Sequence, residues 1–168
     1  RLLLSYKDKI DVYIVRPATV CGLSPRMRFD VSVNMLTLQA LKNKKITIMG
    51  GSQTRPNIHI NDMIGVYKHI LANDIEQGIY NAGFENISIL DLGKKIKNKV
   101  DCEIKIIESN DPRSYRQCSD KLIETGFEQR FNVDYAIDEI SKAFYNKGLI
   151  DDDSCYTVKW MKDKVLNG

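Results

Sequence analysis

The sequence predicts an α/β protein built around parallel strands. Short β-branched segments alternate along the chain with segments that have the apolar spacing of helices. The first apolar run, Ile10 to Val15, leads directly into Arg16 to Gly22, where Pro and Gly end what we expect to be a strand covered on both faces. Ligands of open α/β sheets bind beyond such carboxyl ends, so we expect a site there.

Composition narrows the class of protein. The 168 residues are 43% hydrophobic and 28% charged, as in soluble globular domains. The formal charge of +3 is modest and its basic residues are scattered, so we expect no nucleic-acid partner. The sequence has no transmembrane run and no signal peptide, which predicts a cytoplasmic protein with no membrane partner.

Cysteine and histidine spacing gives no metal pattern. The four cysteines lie far apart and form no Cys-x-x-Cys pair, which favours reduced, mostly structural thiols. His59 and His69 are ten positions apart on different predicted elements. We therefore expect no metal site.

The first third of the chain follows a strand, loop, helix order. Arg1 to Lys7 resembles the end of a helix whose start is not in the sequence, so we expect the chain to be the downstream part of a longer protein. After the opening strand, Val31 to Lys42 predicts a helix. Its apolar stripe comprises Val33, Leu36, Thr37 and Ala40.

The middle of the chain predicts two strands and a helix. Lys45 to Met49 alternates as an extended segment, Gly50-Gly51 breaks it, and Ile58 to Ile60 offers a second short strand. Asn61 is expected to cap the following helix. The apolar positions of that helix are Met63, Val66, Tyr67 and Ile70.

The second half continues the alternation. Gly78 to Ala82 and Glu103 to Ile107 predict strands. Ser88 and Asn132 are positioned to cap long helices, the first in a capping box with Asp91. The sequence also predicts a short helix from Ser119 to Gly126 and a last helix, Ser154 to Leu166, that buries Val158, Met161 and Val165.

Three separated segments carry a family resemblance. They are Val15 to Gly22 (VRPATVCG), Ile46 to Asp62 (ITIMGGSQTRPNIHIND) and Ile79 to Gly83 (IYNAG). Together they resemble the carboxyl-terminal half of the extended short-chain dehydrogenases/reductases, the NAD-dependent nucleotide-sugar epimerases and dehydratases. The resemblance extends from Arg1 to about Phe144 and departs at Cys21, where that family usually has Tyr.

The resemblance implies a fold and assigns parts of the chain to its two regions. It implies the carboxyl-terminal part of a Rossmann-like parallel sheet, interleaved with a small mixed α/β lobe that binds substrate. Within a single α/β fragment, residues 1–30 and about 58–83 would form the Rossmann side. Residues 31–57 and about 84–168 would belong mainly to the substrate-binding lobe.

The resemblance also implies a function for the parent protein. That protein would be an NAD-dependent epimerase or dehydratase acting on a sugar nucleotide by transient hydride transfer, with a homodimer as one option for its assembly. The sequence contains neither the glycine-rich loop nor the Tyr-x-x-x-Lys pair of that family, so we expect an upstream half to bind most of the NAD. No catalytic residue is then expected in this chain, which alone would be inactive. The alternative is a non-catalytic nucleotide-binding or protein-interaction relative of the same fold.

Four residues are implied to contact the cofactor. The resemblance assigns Pro17, Ala18, Thr19 and Val20 to the nicotinamide. A Pro at a strand end fixes φ and removes a backbone donor that would compete with the carboxamide. The alternative is a simple strand terminus.

Five residues are implied to contact the sugar nucleotide. The resemblance assigns Arg55 and Arg113 to the diphosphate, with Arg116 as a competitor for the second role, because guanidinium groups bind phosphate in a bidentate way. It sets Asn34 against the sugar nucleotide, and Thr47 and Met49 against the base. The alternatives are solvated loop arginines and, for Asn34, a core amide bonded to a loop. His59 is expected to be structural.

Overall fold

The computed structural model describes residues 2–109 and 113–166, without the side chains of residues 165 and 166. Seven strands and six α-helices alternate in these ranges. The strands are β1 (Tyr13–Pro17), β2 (Thr19–Cys21), β3 (Lys45–Met49), β4 (Thr54–His59), β5 (Gly78–Ala82), β6 (Glu85–Ser88) and β7 (Glu103–Ile107). The helices are α1 (Ser32–Asn43), α2 (Ile60–Ala72), α3 (Ile89–Lys99), α4 (Asp120–Ile123), α5 (Val133–Tyr145) and α6 (Thr157–Met161). The predicted α/β class is confirmed.

The strands form three small sheets that are mainly parallel. β1 pairs with β5 and β3 pairs with β7, both in parallel. In the third sheet β4 lies between β2, which is parallel to it, and β6, which is antiparallel. β1 and β2 are one extended segment that changes its pairing partner at Ala18.

Two hydrophobic cores support these sheets. The larger core packs α1, α3 and α5 against β3, and its fully buried side chains include Leu36, Ile48 and Ile137. The smaller core packs α2 around Val66 against β5, where Tyr80 is fully buried. The predicted stripe of α1 is confirmed, since Val33, Leu36, Thr37 and Ala40 are all buried.

Two predicted caps are confirmed and one is wrong. Ser88 Oγ accepts the Asp91 N–H at 3.0 Å, and Asn132 Oδ1 accepts the Tyr135 N–H at 2.8 Å. α2 is capped by His59 rather than Asn61, because His59 Nδ1 accepts the Asn61 N–H at 3.1 Å. The imidazole reaches back over the first turn and leaves Asn61 inside the helix.

Burial was overestimated at the two ends of the chain. No residue of β1 is buried, because in the described part of the chain β1 is paired on one side only, with β5. Val158 and Met161 are 61% and 48% exposed, so the expected burial of the last helix is wrong for them. α6 lasts five residues before the chain widens into a π-helical turn, Lys162–Leu166; the side chain of Val165 lies outside the described residues. The opening segment forms only a 3₁₀ turn, Leu3–Tyr6.

The longest helices that the structure describes, α2 and α5, have 13 residues each. Among the residues that the structure describes, none of the helices combines the length and hydropathy needed to span a membrane.

Candidate functional site

A cavity of about 460 Å³ opens beside the carboxyl end of β1. Its walls come from three parts of the chain that are distant in sequence: the β1–β2 segment, the ends of β4 and β5, and the loop that precedes α4. The lining residues are Pro17, Ala18, Thr19, Pro56, Asn81, Tyr115, Arg116, Gln117 and Cys118. Three of the four predicted cofactor contacts therefore share one cavity.

The backbone of this strand end is fixed by close packing. The Ala18 N–H donates to the Ala82 carbonyl at 2.8 Å, which holds the turning point against the end of β5. A Cβ at Gly83 would lie 2.6 Å from the Ala18 Cβ and 2.4 Å from Gln117 Oε1. A side chain at this position would clash with both the strand end and the loop, which explains the glycine directly after β5.

Val20 lies apart from the other three. It packs against the smaller core and lines a different cavity, of about 320 Å³, together with Asn34, Arg26 and Arg28. The alternation of side chains along an extended segment explains this separation. A direct contact of Val20 with the nicotinamide stays a prediction.

Arg55 contacts the loop that lines the strand-end cavity, without lining the cavity itself. Its Nη1 donates to the Thr54 carbonyl at 3.1 Å and to the carbonyl of Arg113. Its guanidinium stacks on the ring of Tyr115, with Cζ 5.2 Å from the ring centroid. The plane of this guanidinium is therefore set by the loop whose residues line the cavity.

The two loop arginines have different positions. Arg116 lines the strand-end cavity and a neighbouring cavity of about 390 Å³. Arg113 is exposed, and its backbone carbonyl is the group that Arg55 contacts. Residues 110–112, which belong to the predicted loop motif, lie outside the described residues.

Asn34 makes two hydrogen bonds that connect the loop after β2. Its Oδ1 accepts the Gly22 N–H at 3.0 Å, and its Nδ2 donates to the Arg28 carbonyl at 3.1 Å. These are the loop contacts weighed as the alternative to substrate binding. The side chain is 3% exposed and still lines the cavity that holds Arg26 and Arg28.

Thr47 and Met49 lie on β3, on the face opposite the buried Ile46 and Ile48. Met49 is 62% exposed, and the Thr47 N–H approaches Gln39 Oε1 at 3.4 Å. Neither residue lines the strand-end cavity, so the structure does not bring them together with Pro17.

His59 has the structural position expected of it. It is 1% exposed, its Nδ1 accepts the Asn61 N–H, and its Nε2 lies 2.8 Å from Glu139 Oε1. Since Nδ1 is an acceptor, the proton is on Nε2 and points to Glu139. The ring also stacks on Phe131, with centroids 5.0 Å apart.

Two groups near this histidine have raised pKa values. Burial, with a contribution from the charges of Glu85 and Glu139, raises the pKa of the Cys21 thiol to about 12. Burial also raises the pKa of Glu85, although the Val133 N–H that this carboxylate accepts acts in the opposite direction. Cys21 is therefore an inert thiol rather than a nucleophile.

Sequence reasoning missed the polar residues that organise the cavity. Asn81, Asn86 and Gln117 hold the loop against the strands, but each is an ordinary amide in a polar segment with no periodicity. A fourth cavity, also of about 390 Å³, lies between α2 and residues 126–131 and includes none of the predicted site residues.

A family model matches the first part of the chain. The model of the NAD dependent epimerase/dehydratase family matches residues 1–83. These residues are similar to that family. The matched residues include the strand-end segment and Arg55.

Solved structures share the fold. RMD from Pseudomonas aeruginosa, complexed with NADPH, is 15% identical with a TM-score of 0.73, over 87% of this chain and 53% of that one. UDP-N-acetylglucosamine 4-epimerase from Bacillus cereus is 18% identical with a TM-score of 0.71, over 84% of this chain and 52% of that one. UDP-glucuronic acid 4-epimerase from Bacillus cereus, in complex with UDP-glucuronic acid and NAD, is 24% identical with a TM-score of 0.68, over 87% of this chain and 49% of that one. The chain thus spans about half the length of these structures.

Proposed function

We propose that this chain is the substrate-binding portion of an NAD-dependent nucleotide-sugar epimerase or dehydratase. The observation that supports the proposal best is the change of strand partner at Ala18, with a cavity beside it that contains Arg116. Ligands of α/β sheets bind in the crevice that opens where neighbouring strands separate at their carboxyl ends. An arginine in that crevice can bind an anionic group of a ligand, such as a phosphate, through charge-assisted hydrogen bonds.

The residues of the strand end fit a nicotinamide. Pro17 offers no N–H, and the Ala18 N–H is already bonded to Ala82, so neither competes for the carboxamide of a ring beside them. A volume of about 460 Å³ is in the range of small-molecule sites. When bound, NAD would accept a hydride from a sugar carbon and later return it. The part of Pro17, Ala18, Thr19 and Val20 is to hold and orient that ring.

The arginines would hold the diphosphate. Arg55 is oriented by two carbonyls and by Tyr115, so its planar fork is ordered before substrate arrives. Arg113 and Arg116 belong to the loop on which Arg55 rests, and we propose that they close over the phosphates. Asn34 would contact the sugar nucleotide from the cavity of about 320 Å³ that it lines with Val20, and Thr47 and Met49 would contact the base.

The proposal includes the cellular location and the oligomeric state of the protein. All four cysteines are free, as expected of a cytoplasmic protein, and we propose that location together with a homodimeric state. The protein of which this chain forms a part would carry out the reaction, whereas the chain itself would bind the sugar nucleotide.

Calorimetry tests the proposal. The chain is titrated with UDP-, dTDP-, GDP- and CDP-glucose, with glucose as the control that lacks the diphosphate. We expect saturable binding of at least one sugar nucleotide and none of glucose. Binding of no sugar nucleotide and no NAD would contradict the proposal and favour the protein-interaction alternative.

A further inference from the structure

The loop from residue 113 to residue 119 is fastened to three strands. At its start, the Thr54 N–H donates to Ser114 Oγ at 3.0 Å. Further along, Gln117 and Asn86 form a reciprocal pair: the Gln117 N–H donates to Asn86 Oδ1 at 2.8 Å, and Asn86 Nδ2 donates to the Gln117 carbonyl at 3.0 Å. Asn81 Nδ2 donates to the Cys118 carbonyl at 3.0 Å. The loop therefore follows the ends of β4, β5 and β6.

One side chain continues from this loop to β1. Gln117 Nε2 donates to the Arg16 carbonyl at 2.8 Å, across 101 positions of sequence. Arg16 immediately precedes Pro17 and Ala18, where the strand changes partner. Gln117 thus joins the loop that carries Arg116 to the segment proposed to hold the nicotinamide.

The oxygen of the Gln117 amide is not stabilised by a hydrogen bond at this position. Within the described part of the chain, Oε1 is buried without a hydrogen-bond partner. It lies close to Gly83, where a Cβ would approach it to 2.4 Å. A buried acceptor that is left unpaired is unfavourable, so the Nε2 bond to Arg16 is what keeps this side chain in place. The bond and the position of the loop are consequently linked.

We propose that Gln117 is a positioning residue that couples closure of the 113–119 loop over the sugar nucleotide to the ordering of the strand end beside the nicotinamide. This inference rests on the proposed function, because it needs a phosphate-bearing ligand on the loop. Ligand binding near Arg116 would hold Gln117 against Arg16, and the Arg16 carbonyl would then steady Pro17 and Ala18. Gln117 lines the strand-end cavity, but in this account it acts through the Arg16 carbonyl and not on the reacting atoms.

Two groups of the native chain report on the two segments that Gln117 joins, one on the loop and one on the strand end. Cys118 is the exposed cysteine, whereas the other three are buried, so its reaction with a disulfide reagent follows closure of the loop. The Ala18 N–H bonds to Ala82, so its hydrogen exchange follows opening of the strand end. Both are measured on the 168-residue chain with and without UDP.

The test compares Gln117→Met with wild type. Met keeps the length of the side chain and removes the donor. In wild type, saturating UDP should slow both Cys118 labelling and Ala18 exchange, the latter by about fivefold, a typical coupling between sites. In Gln117→Met, UDP should still bind and protect Cys118, but Ala18 exchange should no longer respond. Gln129→Met is the matched control, because Gln129 Nε2 also donates to a backbone carbonyl, that of Phe131, at 2.8 Å.

The variant Gln117→Glu tests whether restoring a donor at this position restores the coupling. A carboxylate presents no donor to the Arg16 carbonyl, whereas a protonated carboxyl does, so the response of Ala18 to UDP should return as the pH falls. If UDP binds wild type but Ala18 exchange does not respond, or if Gln117→Met keeps the full response, the coupling is wrong while the proposed function stands. If another of dTDP, GDP and CDP binds wild type in place of UDP, the same measurements are made with it. If none of the four nucleoside diphosphates binds wild type, the proposed function fails and the coupling fails with it.

Discussion

Replacing Arg55 with Lys should weaken sugar-nucleotide binding while leaving the fold unchanged. Lys keeps the charge but has one nitrogen in place of the planar fork. Its ammonium cannot both occupy the position that contacts the Thr54 and Arg113 carbonyls and offer a bidentate pair to a phosphate. It also loses the flat stacking on Tyr115.

The magnitude follows from those contacts. A charge-assisted hydrogen bond contributes about 1.5 to 3 kcal/mol, and an exposed cation–π contact about 0.5 to 1 kcal/mol. Because Lys retains part of each, we expect a loss of about 1 to 3 kcal/mol in binding, or a Kd about 5- to 150-fold higher.

The assay is calorimetric titration of both proteins with the sugar nucleotide that wild type binds best. Arg130→Lys is the matched control, because Arg130 is exposed and lines the cavity beside α2 rather than the strand-end cavity. Far-ultraviolet circular dichroism and thermal unfolding check the fold. An unchanged Kd in Arg55→Lys, with both variants folded, would refute the phosphate role of Arg55.

Three further predictions concern the whole chain, two cysteines and Glu85. The purified chain should carry no NAD by absorbance and mass spectrometry and should not convert any common sugar nucleotide, because it contains neither a glycine-rich loop nor a Tyr-x-x-x-Lys pair; co-purified NAD or turnover would contradict this. Under native conditions a thiol reagent should label Cys118 and spare Cys21, whose thiol has a pKa raised to about 12, as peptide mass spectrometry would reveal. Glu85→Gln should make the protein more stable than wild type at pH 7, since a raised folded pKa gives stability that is lost as Glu85 ionises; this advantage should shrink as the pH falls through the raised folded pKa and should be gone below the ordinary pKa of 4.5. Urea unfolding across this pH range checks it, and an advantage that does not change with pH would count against the assignment.

Local signals explain what the sequence predicted well. The caps of α3 and α5 rest on side chains that bond a backbone N–H three residues away, so Ser88 and Asn132 could be identified without any tertiary information. The same holds for α1, where periodic apolar residues predict the buried face. The place proposed for the site, which stays a prediction, rests on Pro17 and Gly22 at the end of a strand.

Long-range pairing explains what the sequence did not predict. β4 begins at Thr54, well before the predicted Ile58, because the polar Arg55 and Pro56 are paired with β6. β6 itself, the polar Glu85–Ser88, has no alternating pattern and exists because β4 lies beside it. The Gln117 bond to Arg16 joins residues 101 positions apart, a relation that no local pattern carries.

The predicted burial of the last helix is wrong for a related reason. Val158 and Met161 have the spacing of a buried face, yet both are exposed. Spacing predicts which residues of a helix share a face, but only the surrounding structure decides whether anything covers that face.

The most direct test of the central claim is to map sugar-nucleotide binding residue by residue. Backbone amide resonances of the chain are followed by NMR during titration with the sugar nucleotide that binds best in calorimetry. We predict the largest shifts at Ala18, Thr19, Arg55 and the 113–118 loop, around the strand-end cavity. Shifts confined to the cavity between α2 and residues 126–131, or saturation without any shift at Ala18 and Thr19, would contradict the claim that this strand end forms the binding site.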